Sequence, residues 1–365
     1  MPLRTWRTMK NILTYDLAGQ YRPDAQVLYT VSHFGRVIVQ DFVKNTQITY
    51  EVTEPGIYQV KTYAEENGET VVSTYAYRYF APENCYFFEH PQDIQAFTQK
   101  VRAASAQSAI TAFQGKIKNQ LFDFVFFPAR SKNLFVLCPS AITPGKSPVP
   151  HFYRWAWAAQ GLFPGNVLVV SDPTFHLDPR LGKGWFFGTR EEDATLYFSK
   201  VLEIFCKTLQ IDDRNLCFWG SSTGGFIAMQ LARYFPGSTA VAVNAQTDIS
   251  RYEDNALFYQ LEFPGLAAEE INRNFASRLN LVADSKNFSG NTLFMVQNLQ
   301  DSHHYREHFL PFYSAVSGRP VQELPEGIHR VTDSGLTAWV YSHPDGHMAE
   351  TPEMAKCILK LLGVK

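Results

Sequence analysis

An apolar run, Leu216-Cys217-Phe218-Trp219, leads into Gly220-Ser221-Ser222-Thr223-Gly224-Gly225-Phe226, after which the pattern turns helical to about Arg233. A strand, a Gly-x-Ser-x-Gly turn and a helix in immediate succession admit few folds, because the turn is so sharp that it drives the serine hydroxyl out above the sheet. Gly220 and Gly224, two residues to either side of Ser222, carry no side chains that would collide where the arms of the turn pass each other. The helix that follows begins with N–H groups lacking intrahelical acceptors and aims them at any negative charge developing beside the serine. Ser222 is therefore the expected nucleophile. A Gly/Ser-rich turn can also cradle a phosphate, but a Walker-type loop ends Gly-Lys-Ser/Thr and this one ends Gly-Gly-Phe.

A serine hydroxyl needs a base within hydrogen-bond reach, and the base needs a carboxylate to orient it and stabilise its cation. The loop after the last expected strand, Ser342-His343-Pro344-Asp345-Gly346-His347-Met348, runs into the C-terminal helix, and Gly346 lets it bend back over the sheet. His347 is the expected base, with His343 the alternative. The strand Thr292–Val296 runs into Gln297-Asn298-Leu299-Gln300-Asp301, which makes Asp301 the expected acid; Asp248 and Asp284 are alternatives, and Asp301 also suits a helix N-cap. His304 and His308 fall at i, i+4 and invite a metal reading, but Tyr305, Arg306 and Glu307 between them do not give His-Glu-x-x-His. No metal is expected, and His304 is assigned to support or substrate contact. The oxyanion donors are expected to be the N–H of Thr223 and one from the loop Pro139-Ser140-Ala141-Ile142; proline has no N–H, which leaves Ser140 or Ala141.

Residues 1–80 read as a β-sandwich accessory domain. Val27–Val31, Val37–Gln40, Gln47–Val52, Gly56–Tyr63 and Val71–Tyr75 are short and rich in β-branched and aromatic residues, and Glu66-Asn67-Gly68-Glu69 is a hairpin turn signal. Strands at this spacing suggest a module resembling an immunoglobulin-like sandwich. Residues 81–118 read as a connector, helical from about Gln92 to Lys116, with Ile94, Phe97, Val101 and Ala104 at helical spacing. From 119 to 365 strands alternate with helices: Phe122–Phe127, Leu134–Cys138, Val167–Val170, Leu216–Trp219, Ala240–Val243, Thr292–Val296 and Ala338–Tyr341, with helices notably at Asp193–Leu209 and Phe226–Tyr234. Near-continuous apolar strands with helical crossovers predict an α/β domain, a mostly parallel sheet with helices on both faces.

A net charge of −2 argues against nucleic acid or a polybasic membrane surface as partner. The five cysteines, Cys85, Cys138, Cys206, Cys217 and Cys357, are scattered and mostly within apolar runs, as reduced thiols of a cytoplasmic protein would be. The start, Met1-Pro2-Leu3-Arg4-Thr5-Trp6-Arg7, has no apolar stretch behind it, and no run is long enough to span a bilayer, so a cytoplasmic location is expected. Between the strand at Val170 and the helix before the elbow lies a long punctuated segment, 171–190, rich in aromatic residues. Trp185, with Phe186 and Phe187, reads as a stacking wall, Arg180, Lys183 and Arg190 as counter-charges, and Phe152–Trp157 as a second wall. The alternative for both walls is packing against the sheet. If they bind, an anionic carbohydrate-like acceptor fits better than a lipid.

Gly220–Gly224, Asp301 and His347, in that chain order, resemble the α/β-hydrolase superfamily over roughly residues 119–365. The Gly-Ser-Ser-Thr-Gly-Gly elbow, the Asp301-x-x-His304 run and the β-rich N-terminal module also resemble bacterial α/β-hydrolase-like proteins of capsule and surface-glycan biosynthesis, including accessory-secretion proteins implicated in glycan O-acetylation of adhesins. That resemblance implies acyl transfer, most often of acetyl, to or from a sugar hydroxyl of a polysaccharide, with no bound cofactor and with acetyl-CoA as donor if the protein is a transferase. An O-acetyltransferase is the leading expectation. A carbohydrate esterase or deacetylase with the same triad, a non-enzymatic scaffold in a glycan-assembly complex and a serine peptidase stay open beside it, as does a homo-oligomer formed through the N-terminal domain.

Overall fold

The computed structural model describes residues 12–364 apart from 18–19, 23–24, 45–46, 55, 80–84, 146 and 148. The Met1–Arg7 start and the boundary expected at 80–81 lie outside the described residues. Backbone contacts divide the chain into two compact units, Met1–Cys85 with Thr111–Gln114, and Tyr86–Ile110 with Gly115–Lys365.

The first unit carries β1 (Ile12–Asp16), β2 (Gln26–His33), β3 (Arg36–Lys44), β4 (Gln47–Glu51), β5 (Gly56–Glu66) and β6 (Glu69–Tyr79). They pair antiparallel in two sheets, β1-β4 and β3-β2-β5-β6. Alternation along the strands puts Leu13 and Ile48 of the small sheet and Val27, Val31, Tyr58, Val60 and Ala64 of the larger one into one apolar core. The hairpin β5–β6 turns at Asn67 and Gly68, both with positive φ (55° and 84°), the conformation that favours this dipeptide in two-residue hairpins. β3 leaves Val37, Ile38 and Phe42 exposed.

The strands that follow are β7 (Cys85–Phe87), β8 (Thr111–Ile117), β9 (Gln120–Phe127), β10 (Leu134–Leu137), β11 (Asn166–Val170), β12 (Leu216–Ser221), β13 (Thr239–Val243), β14 (Thr292–Asn298), β15 (Gly327–Val331) and β16 (Leu336–Tyr341). They form a sheet of order β15-β16-β14-β13-β12-β10-β11-β9-β8-β7. The run β16-β14-β13-β12-β10-β11 is parallel, while β9 and β15 join it antiparallel. The sheet is thus mixed: its centre is the parallel run expected from the sequence, and the antiparallel pairing of β9 and β15 is not part of that expectation. Every residue of β10, β11 and β12 is buried, which explains why these strands read as unbroken apolar runs without alternation. Helices Ala194–Leu209, Thr223–Ala232, Leu310–Ser317 and Pro352–Leu361 follow β11, β12, β14 and β16; helices that alternate with parallel strands in this way cover both faces of a sheet. Among the described residues no helix is long and apolar enough to cross a membrane.

The connector differs from expectation. Its helix ends at Gln107, where Ser108 turns left-handed (φ 52°) and Ala109 N–H bonds back to Ala104 O. Thr111–Ile117, expected to continue that helix, is instead β8, with Ala112, Phe113, Gln114 and Gly115 all buried. A segment buried on consecutive residues loses the one-sided stripe that a surface helix needs.

Candidate active site

Four chain segments leave the carboxyl ends of neighbouring parallel strands β12, β13, β14 and β16, and they carry Ser222, Gln246, Asp301 and His347. Sites in open α/β sheets gather at this end. Ser222 stands between β12 and the helix Thr223–Ala232 with φ 54° and ψ −121°, a conformation that costs a side-chain-bearing residue of order 1–3 kcal/mol. The turn is possible because Gly220 and Gly224 touch: a Cβ on Gly220 would fall 2.2 Å from the Gly224 carbonyl, and one on Gly224 would fall 2.8 Å from Pro139 O. Ser222 N–H is tied to Val243 O at 2.9 Å, which pins the turn to β13.

Ser222 Oγ lies 3.0 Å from His347 Nε2, and His347 Nδ1 lies 2.5 Å from Asp301 Oδ2. Asp301 has a second imidazole on its other oxygen, His304 Nδ1 at 3.0 Å from Oδ1. The His304 and His347 rings stack with centroids 4.1 Å apart. Gln246 Nε2 reaches both His304 Nε2 (2.8 Å) and Ser222 Oγ (3.1 Å), closing a ring of hydrogen bonds through Ser222, His347, Asp301, His304 and Gln246. Burial alone would raise the Asp301 carboxyl; hydrogen bonds from His304 and His347 outweigh it and hold the group well below the usual carboxylate range. Burial pushes the His304 imidazole down, keeping it neutral beside His347. Asp301 begins the turn into a π-helical stretch, His304–Phe309, whose wider winding brings His304 and His308 within 5.2 Å, ring to ring.

The loop bearing His347 is held from three sides. Asn298 Nδ2 donates to His343 O (2.9 Å) and Gly346 O (2.7 Å), while its Oδ1 accepts from His343 N–H (2.9 Å). Asn244 Nδ2 donates to Met348 O at 2.7 Å. Glu350 forms a buried ion pair with Arg154 (Nη2 to Oε2 2.6 Å) and accepts from the Trp219 indole N–H on β12. The Arg154 guanidinium stacks between Tyr153 and Trp157 and also donates to Ser221 Oγ at 3.3 Å; burial pushes its pKa down to about 10. Glu350→Gln would leave that cation buried without a counter-charge and is expected to destabilise the protein by about 3–5 kcal/mol, read as a lower urea midpoint. Arg154→Met with Glu350→Leu should cost far less than either single change, because both charges are removed together.

The other residues singled out in the sequence take various places. Thr223 opens the elbow helix, where its N–H has no intrahelical acceptor. The loop with Ser140 and Ala141 follows β10, and its Cys138 and Pro139 carbonyls press on Gly224; Ser140 is half-buried and Ala141 exposed. Trp185 is 1% exposed, so it is no open stacking wall. Its ring packs edge-on against Tyr252 and Phe258, and its indole N–H donates to Gln246 Oε1 at 3.4 Å. Phe186 and Phe187 are buried too, because the 171–190 segment folds around the buried carboxylate of Asp172, which accepts from Thr174 and Phe186 N–H. Phe152 is buried and Tyr153 and Trp157 flank Arg154, so the second wall is packing as well. Arg180 pairs with Asp178, Arg190 with Glu191 and Lys183 with Asp254; none of these pairs joins the Ser222 network. His343 serves its own turn, accepting from Asp345 N–H at 3.3 Å. Asp248 takes Ser250 and Asn280, and Asp284 pairs with Arg233, so neither faces an imidazole of the site.

Asp301, His304 and His347 bring potential ligand atoms within 4.8 Å of one another. Both Nδ1 atoms already face the carboxylate, so a metal there would displace the hydrogen bonds that orient His347. His308, the other half of the i, i+4 pair, accepts from Thr247 N–H on Nδ1, and burial pushes its pKa down to about 3. Sequence reasoning missed Gln246, Arg154, Glu350, Asn244 and Asn298. The available signal was position: Asn244-Ala245-Gln246-Thr247-Asp248 is a polar run directly past a buried strand, where a site is expected.

No protein-family model matches the chain, and no curated protein sequence matches it. Solved structures do. Capsule O-acetyltransferase of Neisseria meningitidis serogroup A is similar at 13% identity over 68% of this chain and 95% of that one, with a TM-score of 0.48. A glycosylation-associated protein complex from Streptococcus agalactiae is similar at 13% identity over 97% of this chain and 62% of that one, with a TM-score of 0.47. Prolyl oligopeptidase B from Galerina marginata is similar at 10% identity over 89% of this chain and 45% of that one, with a TM-score of 0.50. At that identity the last likeness is one of fold.

Proposed function

We propose that this chain, whose second unit has an α/β-hydrolase-like fold, transfers an acyl group through Ser222 and an acyl-enzyme, acting as an O-acetyltransferase on a bacterial capsular or surface polysaccharide. The observation that carries the reading is the unbroken array Ser222–His347–Asp301 at 3.0 and 2.5 Å on a strained strand-to-helix turn. Ser222 Oγ attacks the acyl carbonyl carbon as its proton passes to His347 Nε2, and the carbonyl electron pair moves onto oxygen. Thr223 N–H, with Ser140 or Ala141 N–H, holds that oxyanion. Collapse of the adduct expels the donor's leaving group, which takes the proton from His347. A sugar hydroxyl, deprotonated by His347, then accepts the acyl group and frees Ser222. Acetyl-CoA is the donor in this reading. The choice of a sugar acceptor follows the resemblance of the elbow, the Asp301-x-x-His304 run and the β-rich first unit to glycan-assembly proteins.

A deacetylase or esterase reading has one observation in its favour. The His347 side chain is 38% exposed, which lets water compete for the acyl-enzyme. Incubation with acetyl-CoA and neutral or anionic oligosaccharides separates the two. Acetylated sugar formed by wild type and not by Ser222→Ala supports the transferase. Acetate released from an acetylated sugar, with no transfer to any acceptor, supports the esterase. Neither product would contradict both.

A further inference from the structure

We propose that the side-chain amide of Gln246 is a catalytic group in its own right: it donates a hydrogen bond to Ser222 Oγ, the attacking atom, and His304 is the positioning residue that sets which end of the amide faces it. The inference rests on Ser222 being the nucleophile and goes beyond that reading, since Gln246 belongs neither to the triad nor to the backbone donors of the oxyanion.

An amide can present oxygen or nitrogen to a neighbour, and here only one orientation satisfies every partner. Ionised Asp301 only accepts, so the Nδ1 of His304, 3.0 Å from Oδ1, carries the proton. A neutral imidazole protonated there leaves Nε2 as an acceptor, and the Gln246 atom 2.8 Å away must be the NH₂ group. At the other end the Trp185 indole N–H, which can only donate, lies 3.4 Å from Gln246 and demands the carbonyl oxygen. With both ends fixed, the second hydrogen of the NH₂ is left for Ser222 Oγ at 3.1 Å. Gln246 is wholly buried, so no water competes for that hydrogen. Ser222 Oγ thus accepts from Gln246, and its own proton is turned toward His347 Nε2.

During attack the Oγ–H bond breaks as Oγ bonds to the carbonyl carbon and His347 Nε2 takes the proton. Gln246 exchanges no proton; its N–H stabilises the negative charge that Oγ carries while its proton is leaving. When the acyl group departs to the acceptor, the Oγ–C bond breaks and the same N–H meets the returning charge. Asp301 therefore steers Ser222 by two routes, directly through His347 and indirectly through His304 and Gln246.

The test is the second-order rate of fluorophosphonate labelling for wild type, Ser222→Ala, Gln246→Met and Gln246→Glu, each checked by thermal unfolding. Gln246→Met should label about 10- to 100-fold slower than wild type, the effect of removing one hydrogen bond to a developing charge. Gln246→Glu keeps the size and the acceptor for Trp185, yet it should label more slowly still, because a carboxylate opposes charge on Oγ and competes with His347 for the hydroxyl proton. A purely packing role predicts the reverse order, with Gln246→Glu the milder change, and that order would overturn the inference. Labelling of either variant at the wild-type rate would overturn it too; if Gln246→Met does not fold, Gln246→Glu decides alone. In a His304→Phe background, Gln246→Met should cost less than about threefold, since the amide is no longer held; full additivity would remove His304 from the scheme. Absence of label on wild type is a different result, which refutes Ser222 as the nucleophile.

Discussion

Ser222→Ala is expected to lower turnover of a simple acetyl ester by about 10⁴- to 10⁶-fold, the range seen when the nucleophile of a serine triad is removed. The residual rate would come from donors that hold a carbonyl without attacking it. The change removes one oxygen and leaves the turn intact, since the backbone at 222 is fixed by the Gly220–Gly224 contact and by Ser222 N–H on Val243 O. Alanine meets the same strain at φ 54° as serine does, so the folded state keeps its thermal midpoint while activity falls to that residual rate. A variant that loses activity and midpoint together would point to a structural role for the hydroxyl. Steady-state hydrolysis of p-nitrophenyl acetate with a melting curve on the same sample distinguishes the two.

Asp301→Asn is expected to cost about 10⁴-fold, for a reason specific to this site. The carboxylate offers two acceptor oxygens to two imidazole N–H groups, His304 Nδ1–H at 3.0 Å and His347 Nδ1–H at 2.5 Å. An asparagine offers one acceptor and one NH₂, so one of the imidazoles must move its proton from Nδ1 to Nε2. If His347 moves it, Nε2 can no longer accept the Ser222 proton. If His304 moves it, Nε2–H confronts the Gln246 NH₂ and the amide turns away from Ser222. Either way Ser222 loses one of the two contacts that define its hydroxyl. Loss of the negative charge also withdraws the stabilisation of the His347 cation formed in the reaction. The rate should stay low across the neutral range instead of recovering at higher pH, because the defect is a misplaced proton and not an unfavourable ionisation. Recovery to the wild-type rate at alkaline pH would contradict this.

The Ser222, Asp301 and His347 positions were readable because each is set by local chain logic: a glycine-flanked turn after a strand, a carboxylate just past the next strand but one, and a glycine-bearing loop before the last helix. The structure brings these three within hydrogen-bond distance. The parallel strands were equally readable, since burial on both faces writes itself as unbroken apolar runs. What failed to show depends on partners far away in the chain. Arg154 and Glu350 are separated by 196 residues, and nothing near either one announces a buried ion pair. Gln246 matters only because His304, Trp185 and Ser222 fix its two ends. Trp185 stays ambiguous in the sequence because an aromatic cluster in a long segment looks the same whether it faces a ligand or wraps a buried carboxylate. Here Trp185 and Phe186 both take positive φ (50° and 58°) to close around Asp172. β8 reads as helix in the sequence because its few residues follow a well-marked helix and show no alternation to stop the pattern. β15 lies at the sheet edge with mostly exposed residues, which leaves no apolar signature.

The central claim is that Ser222 is activated by the array it sits in. The most direct test is intact-mass analysis of the purified protein after fluorophosphonate treatment, with the modified peptide sequenced and Ser222→Ala run alongside. The account predicts a single adduct on wild type, located at Ser222, and none on the variant. An unmodified wild-type protein, or an adduct that persists in Ser222→Ala, would contradict it.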